Sequence, residues 1–373
     1  MYETTLEEVI TFRNYFRALK DCNKSVNFKF SVQNYNANCM KKICATVNRI
    51  LNGEIPNVKN NTHVTIRERG KERTITPIDI EDRVTQKVLC DNVLVPAIAP
   101  HLIYDNGASL KGKGTQFARK RLNLFIEKAK REYGRENIYA LIFDFKSYFD
   151  SIPHCKCREV MEKYIEDQRI VELCMGIIES YETAEADTGL CLGSQISQVM
   201  AVAVPNDLDH YIKDILGMKY YIRYMDDGII LLNDKRRLSE IKKLLSEKAK
   251  ECGLAMHPEK TKIIKLTHGI TFLKIKYRIV GNKTIKRLTR PGIVRERRKL
   301  KKLSERAKSG RLPPDDIYAS MQSWNAHSGN AKSYRTSKNM FRLYNGLYGG
   351  YRMTQKYYRN HPEEKRRKKV TRF

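Results

Sequence analysis

Lys219-Tyr-Tyr-Ile-Arg-Tyr-Met-Asp-Asp-Gly-Ile-Ile-Leu-Leu232 is the stretch on which the reading of the chain turns. Two β-prone, largely apolar runs, Lys219–Tyr224 and Gly228–Leu232, are separated only by Met225-Asp226-Asp227. That pattern predicts an antiparallel hairpin with two carboxylates at its tip. Adjacent carboxylates repel and raise each other's pKa unless a cation neutralises them. An Asp-Asp pair in a turn is by itself an ordinary turn signal, so its meaning depends on what surrounds it.

A third acid occupies a comparable position upstream. Ile138-Tyr-Ala-Leu-Ile-Phe143 reads as a buried strand by length and composition, and Asp144 ends it. Only oxygen donors are on offer there, with no Cys/His cluster nearby, which selects Mg²⁺ or Mn²⁺ over zinc. Two such ions bridged by carboxylates suit an in-line phosphoryl displacement, because they clamp the attacking and leaving oxygens.

Composition narrows the class. The 373 residues carry 71 Lys+Arg against 42 Asp+Glu, a formal net charge of +29. Charge of that size calls for a polyanion, nucleic acid first and an anionic membrane surface second. Hydrophobic residues make up 41%, enough for a sizeable core, which excludes wholesale disorder. No stretch reaches the roughly 18 apolar residues of a membrane span. The acidic start, Met1-Tyr2-Glu3-Thr4-Thr5-Leu6-Glu7-Glu8, has no apolar signal region, so secretion is not expected. Nine cysteines without a C-x-x-C pair argue against a disulfide framework or structural zinc and point to a cytoplasmic protein.

Along the chain, residues 1–60 read as mostly helical and polar, with the Asn-rich Val32–Cys39 as a loop. Residues 64–76 read as a hairpin around a Gly-containing turn. Asp82–Val95 has helical spacing and should end at Pro96. Asp105–Thr115 is a Gly- and Lys-rich loop, followed by a basic helix over Gln116–Tyr133. Helices are expected around Arg158–Asp167, Val171–Tyr181, Ile196–Lys213 (kinked at Pro205) and Lys235–Glu251, with a strand pair over Gly269–Val280. Residues 286–311 hold 12 Lys/Arg against two Glu, and residues 352–373 hold 9 against two. The first block reads as a basic helix, the second as a mostly disordered basic tail.

Several motifs stand in a fixed order. Arg73-Thr-Ile-Thr-Pro77 with Asp82-Arg-Val84 and Gln86 comes first, then Tyr104-Asp-Asn-Gly-Ala-Ser-Leu-Lys-Gly-Lys-Gly-Thr115. Next are Asp144-Phe-Lys-Ser-Tyr-Phe-Asp-Ser-Ile152, Gly189-Leu-Cys-Leu-Gly-Ser-Gln-Ile-Ser-Gln198 and Tyr224-Met-Asp-Asp227. Phe272-Leu-Lys-Ile275 and Ser323-Trp-Asn-Ala-His-Ser-Gly-Asn-Ala-Lys-Ser-Tyr-Arg335 close the series. From about residue 64 to about residue 347 this order resembles bacterial reverse transcriptases, including D-x-x-x-[FY]-F, the Y-x-D-D hairpin, an F-L-G primer grip with Lys274 replacing Gly, and S-x-x-G-H in the thumb.

The resemblance implies an α+β right-hand polymerase whose palm is a ferredoxin-like antiparallel sheet. It implies an N-terminal helical extension over 1–60, fingers over 61–137, a palm with finger insertions over 138–285, a helical thumb over 286–350 and a basic tail over 351–373. It implies two Mg²⁺ ions, with Mn²⁺ as a substitute, on Asp144, Asp226, Asp227 and the Phe145 carbonyl. Arg67 and Arg73 match residues that grip the triphosphate; Arg67 also reads as a surface hairpin charge. Lys111 and Lys113, beside three glycines, match a phosphate contact or form a plain surface loop. Phe149 matches the ring that excludes a ribose 2′-OH, against a reading as a core aromatic, with neighbouring Tyr148 the better core candidate. Leu192, Gly193 and Gln198 match positions at the incoming nucleotide. Lys274, Arg295, Arg298, Lys302 and His327 match nucleic-acid contacts, and Trp324 and Tyr334 either stack on a nucleotide or pack the thumb core.

Most members read Q-G and S-P where this chain has Leu192-Gly193 and Ser197-Gln198. That departure is similar to the enzymes of diversity-generating retroelements, whose cDNA synthesis is error-prone, and an apolar contact in place of a polar check should relax fidelity. The S-Q ending also resembles defence-associated enzymes that copy a dedicated noncoding RNA; retrons usually read Y-A-D-D, unlike Met225 here. The absent Gly before His327 is a second departure. A group II maturase or an RNase H domain is not expected, because the sequence after Val280 is short and mostly basic. The implied partners are an RNA template, a DNA or RNA primer, dNTPs and a small helical accessory protein, with no membrane. A non-catalytic RNA-binding protein is the reading from another class, and the three acids argue against it.

Overall fold

The computed structural model describes residues 1–55, 64–68, 71–181 and 186–351; the side chains of Arg67, Glu68, Lys71, Arg73 and Thr74 lie outside that description. The basic segment 352–373 also lies outside the described residues. Contacts divide the chain into two units, one of residues 1–129 and 139–263, the other of residues 130–138 and 264–373. That division does not follow the five segments expected from the sequence, since its boundary after residue 263 falls inside the segment 138–285.

The first unit carries a hairpin, β1 (Val64–Glu68) and β2 (Lys71–Ile75), in register from Val64↔Ile75 to Glu68↔Lys71. Its central sheet uses β3 (Tyr139–Phe143), β4 (Tyr221–Tyr224), β5 (Asp227–Leu232) and β6 (Lys262–Lys265), in the order β4-β5-β3-β6. β5 pairs antiparallel with both β4 and β3. In one row Arg223, Gly228 and Phe143 lie side by side. A Cβ at residue 228 would stand 2.1 Å from the Phe143 ring, so only glycine lets the ring lie across β5.

Helices cover this sheet, and one core runs through the whole unit. Leu141 and Phe143 of β3, Ile230 of β5, Ile196 and Met200 of the helix Gln195–Ala203, and Leu238, Ile241 and Leu245 of the helix Lys235–Glu251 share it. The latter three recur at helical spacing, and Asp234 caps the helix by accepting from the Arg236 and Arg237 amides. Leu6, Tyr15 and Leu19 from the N-terminal helices join the same core. All nine cysteines are free.

Two expectations fail here. The Asn-rich stretch forms helix, Phe30–Ala37 followed by Cys39–Leu51, because Val32 and Tyr35, three residues apart, are both buried. That burial overrides the turn preference of the asparagines, one of which, Asn36, accepts from the Asn23 side chain. Nor does Pro96 stop the helix that begins at Ile80. A π-turn at Cys90–Leu94 widens the ladder, and Pro96 falls in the first turn of the next segment, Val95–Ile98, where its missing N–H costs little. At Pro205 the expected break occurs, between Gln195–Ala203 and Asn206–His210.

The second unit holds a three-stranded meander: β7 (Ile270–Phe272), β8 (Ile275–Val280) and β9 (Lys283–Leu288). The sequence suggests only a pair there, since β9 runs into the basic block and lacks clean alternation. β8 alternates strictly, with Ile275, Tyr277 and Ile279 buried. The helices Arg290–Lys308, Pro314–Ser328 and Tyr334–Tyr348 follow, packed around Leu300, Ile317, Met321, Met340 and Tyr344.

Candidate active site

Sheet register brings the acids together. Phe143 is the partner of Gly228, so Asp144 leaves β3 beside the point where Asp227 enters β5. Tyr224 pairs with Asp227 across the hairpin, leaving Met225 and Asp226 as its two-residue tip. Met225 takes a left-handed backbone, φ 54°.

The carboxylates feel one another. Asp227 is pushed up to about 7 by burial first, then by the negative charges of Asp226 and Asp144, against a smaller pull from Lys260. Asp144 is 8% exposed, and the Lys260 ammonium donates to its Oδ1 at 2.7 Å. The loop bearing Lys260 is docked by backbone: the His257 amide donates to the Asp144 carbonyl at 2.7 Å, and the Lys146 amide to Ala255 at 2.8 Å. Excess buried negative charge drawing in an ammonium is the mark of a site suited to a cation, and an all-oxygen donor set suits a hard divalent one. Among the described residues no three His, Cys, Asp or Glu side chains are gathered tightly enough to coordinate one ion in this arrangement. The Asp144 carboxylate is engaged with Lys260 instead.

Around this centre the structure assembles several sequence-predicted positions. Phe145 is buried and stacks on Tyr148, whose hydroxyl donates to the Ala201 carbonyl. Tyr148 is therefore the core residue of the Tyr148-Phe149 pair, while Phe149 is half-buried and meets it edge-on. The segment 187–190 docks onto 149–154: the Leu190 amide donates to Phe149 at 2.7 Å, Gly189 to Ile152 at 2.8 Å, and the His154 ring bonds the Gly189 carbonyl. Leu192 is half-buried. Gly193 sits at φ 118°, a backbone that side chains rarely adopt, and a Cβ there would approach the Thr76 carbonyl at 3.6 Å.

Gln198 accepts from the Ser109 hydroxyl at 3.0 Å, which ties the Gly/Lys loop to the helix Gln195–Ala203. In that loop Lys111 is exposed, but Lys113 donates to the Tyr104 carbonyl at 2.6 Å and lies over the Tyr104 and Phe117 rings. Burial lowers its pKa. Arg67 and Arg73 lie on β1 and β2, with side chains outside the described residues.

In the second unit Leu273 and Lys274 form the β7–β8 turn, with φ 46° and 69°. Two left-handed residues make the type I′ hairpin turn, so Lys274 holds the conformation the replaced glycine adopts freely. Arg295, Arg298 and Lys302 are exposed along one face of the helix Arg290–Lys308. Trp324 packs on the helical core and His327 is half-buried, so the core-packing alternative holds for Trp324. Tyr334 is exposed and does not join that core.

Lys260, Arg223 and Asp209 escaped sequence reading as site elements, and Gln86 stood in a motif without a role of its own. Gln86 accepts from the Ser194 hydroxyl and the Gln195 amide, at 3.0 and 2.9 Å, and donates to Tyr181, fixing the start of the helix after Gly193. An Arg in an apolar strand and an Asp in an apolar helical run were usable signals for a buried ion pair. Lys260 gave none, being 116 residues from its partner.

A family profile described as reverse transcriptase (RNA-dependent DNA polymerase) matches residues 55–277. The chain belongs to the reverse transcriptase family. Its fold is that of a right-hand polymerase, α+β with an antiparallel sheet carrying the acids. Among solved structures this reverse transcriptase is similar to apo telomerase from Candida tropicalis truncated from its C-terminal domain (TM-score 0.45, 17% identity, 62% of this chain and 55% of that one). It is also similar to telomerase from Candida albicans in complex with a TWJ fragment of telomeric RNA (0.45, 11%, 60% and 46%) and to apo telomerase from Candida tropicalis (0.46, 15%, 69% and 54%). The chain spans about half the length of these structures. No curated protein matched it in sequence.

Proposed function

We propose that this reverse transcriptase is an RNA-directed DNA polymerase that extends a DNA or RNA primer with dNTPs on an RNA template. The observation that carries it is the placement of Asp144, Asp226 and Asp227 by strand register at one end of β3 and β5, with Asp227 pushed up by burial and then by the charges of the other two. These three, with the Phe145 carbonyl, would hold divalent cations, Mg²⁺ with Mn²⁺ as a substitute. When bound, such ions activate the primer hydroxyl and neutralise the departing pyrophosphate.

The protein's own part is placement. β3 and β5 fix two carboxylates on neighbouring strands, and the tight hairpin fixes the third. Phe149, anchored through its carbonyl to Leu190, is the ring that rejects a 2′-OH. Leu192, Gly193 and Gln198 bound the nucleotide, with Arg67, Arg73 and Lys111 on its phosphates. Lys113 joins them if the phosphate displaces the Tyr104 carbonyl. Lys274, Arg295, Arg298, Lys302 and His327 contact the template–primer duplex from a primer-grip turn and a thumb. Fingers over 61–137, palm over 138–285 and thumb over 286–350 are the corresponding assignment, and a cytoplasmic setting goes with it. Among the described residues no helix is long and apolar enough to cross a membrane.

The finer reading is error-prone cDNA synthesis of the diversity-generating retroelement type, with a small helical accessory protein. Its support is Leu192 before Gly193 and the Ser197-Gln198 ending: an apolar side chain stands where an amide would check the nucleotide. Primed poly-rA/oligo-dT with dTTP and Mg²⁺ tests the activity, which must vanish in D226A+D227A. Sequenced cDNA tests the subtype: an excess of errors opposite template adenine supports it, and a flat error spectrum favours a defence-associated enzyme.

A further inference from the structure

Behind the acidic hairpin lies an ion pair with no access to water. Arg223 and Asp209 both have 0% side-chain exposure. Arg223 Nε donates to both Asp209 oxygens, at 2.8 and 3.0 Å, and Nη2 donates to Oδ2 at 2.6 Å. The second bond of Nη2 goes to the Val202 carbonyl at 2.8 Å. Tyr221 donates its hydroxyl to Asp209 Oδ1 at 2.6 Å. What remains of the fork is Nη1, and it donates to the Met225 carbonyl at 3.1 Å.

Met225 is the residue that must stay left-handed for the two-residue tip to close, a backbone unfavourable for any residue but glycine. Its carbonyl is also the peptide group that leads into Asp226. A buried ion pair is seldom retained for stability, since well-packed apolar residues do as well or better. Here the guanidinium also spans two elements. It is clamped on the helix Asn206–His210 through Asp209 and on the end of Gln195–Ala203 through Val202, and it reaches the hairpin tip. Its backbone is held as well: the Arg223 amide donates to Asp105 at 3.3 Å and its carbonyl accepts from Gly107 at 2.9 Å.

We propose that Arg223 is a positioning residue for polymerisation: it braces the Met225 carbonyl against the Asp209 clamp and so sets the direction in which Asp226 and Asp227 present their carboxylates. This rests on the polymerase reading and adds a residue that touches neither nucleotide nor metal. A lysine at 223 keeps the charge and can pair with Asp209, but one ammonium cannot reproduce a fork shared between Asp209, Val202 and Met225.

The test is R223K beside wild type, with R223M+D209L as a second variant in which the pair is replaced by apolar bulk. Melting temperature reports the fold, Mn²⁺ titrated alone by calorimetry reports the carboxylates, and dTTP incorporation at varied Mg²⁺ reports the chemistry. For both variants we expect a cooperative melt and Mn²⁺ binding weakened about tenfold. Incorporation should have kcat down 30-fold or more, partly restored at high Mg²⁺, with KM for dTTP within twofold. Mn²⁺ affinity equal to wild type in a folded variant overturns the proposal, as does a loss of rate with unchanged Mg²⁺ half-saturation, which a merely structural pair would give. If wild type fails to incorporate dTTP, the polymerase reading falls, whereas the calorimetric comparison still decides whether Arg223 sets the carboxylates.

Discussion

The two units handle charge in opposite ways. Around the acids of the first unit, cations are each committed to a carboxylate. Lys260 is on Asp144, Arg223 on Asp209, and Arg121 and Lys213 share Asp105, with ion-pair distances of 2.6–2.8 Å. In the second unit, Arg295, Arg298 and Lys302 stand on an exposed helical face within a block of 12 basic residues and two acids. Fixed, partly buried charge gives direction and a tuned pKa, which chemistry on one phosphorus atom needs. Exposed, repeated charge gives affinity without sequence preference, which travel along a duplex needs. Substitutions in the first unit should therefore act on rate and metal dependence, and those in the second on salt dependence.

That contrast is easiest to break at the acids. Asp144→Ala should cut dTTP incorporation by on the order of 10³-fold, with template–primer affinity in a filter-binding assay within a few-fold of wild type. A comparable loss of binding would mean the acids serve nucleic-acid affinity and that the division between units is wrong. Next in size is discrimination at the sugar. Phe149→Ala should improve use of rUTP relative to dTTP by about one to two orders of magnitude, measured as a ratio of kcat/KM, because a clash rather than a hydrogen bond does the excluding.

A pH series on metal-free protein isolates the electrostatic part of the comparison. Asp227 is raised in the folded state to about 7 from 3.8, so the folded protein holds that proton more tightly than the unfolded chain. The stability that this group contributes is then full below about pH 4 and is lost as pH rises between about 4 and 7, by at most about 4 kcal/mol. Asp227→Asn should remove this loss, leaving the variant more stable than wild type at pH 8 without metal; Mg²⁺ should raise the melting temperature of wild type and leave the variant unmoved. Equal pH profiles would show that Asp227 carries no such strain.

Smaller effects belong to the second unit. Replacing Arg295, Arg298 and Lys302 together by Ala should lower the slope of log affinity against log salt by about two to three, with kcat at saturating primer unchanged. Least of all, Lys274→Gly should stabilise by about 0.5 kcal/mol in urea melts, since relief of a left-handed lysine slightly exceeds the added chain entropy of glycine.

Local pattern made much of this legible in advance. The hairpin of residues 219–232 declared itself through two largely apolar, β-prone runs separated only by Met225-Asp226-Asp227, and the helix Lys235–Glu251 matches its expected bounds. The three acids were found because acids ending apolar strands are conspicuous. What escaped depended on distant partners. The helix Phe30–Ala37 exists because Val32 and Tyr35 find a core elsewhere, and Lys260 matters only because its loop docks at residues 144–146. Arg223 looked like one charge in a strand until Asp209 came beside it. Lys113, which matched either a phosphate contact or a plain surface loop, shows the same dependence on a partner, because its ammonium donates to the Tyr104 carbonyl of its own loop.

Gly228 has a consequence for anyone mapping this protein by random mutagenesis. With the Phe143 ring lying where a β-carbon would go, even alanine must prise β3 from β5, and those two strands carry Asp144 and Asp227. A residue with no side chain, touching no substrate, should thus score among the least tolerant positions in the chain. In such a scan the tolerance map would outline the active site partly through a position with no chemistry of its own. The partner substitution that rescues it, Phe143 trimmed to a smaller residue, would identify it as steric support for the catalytic strands.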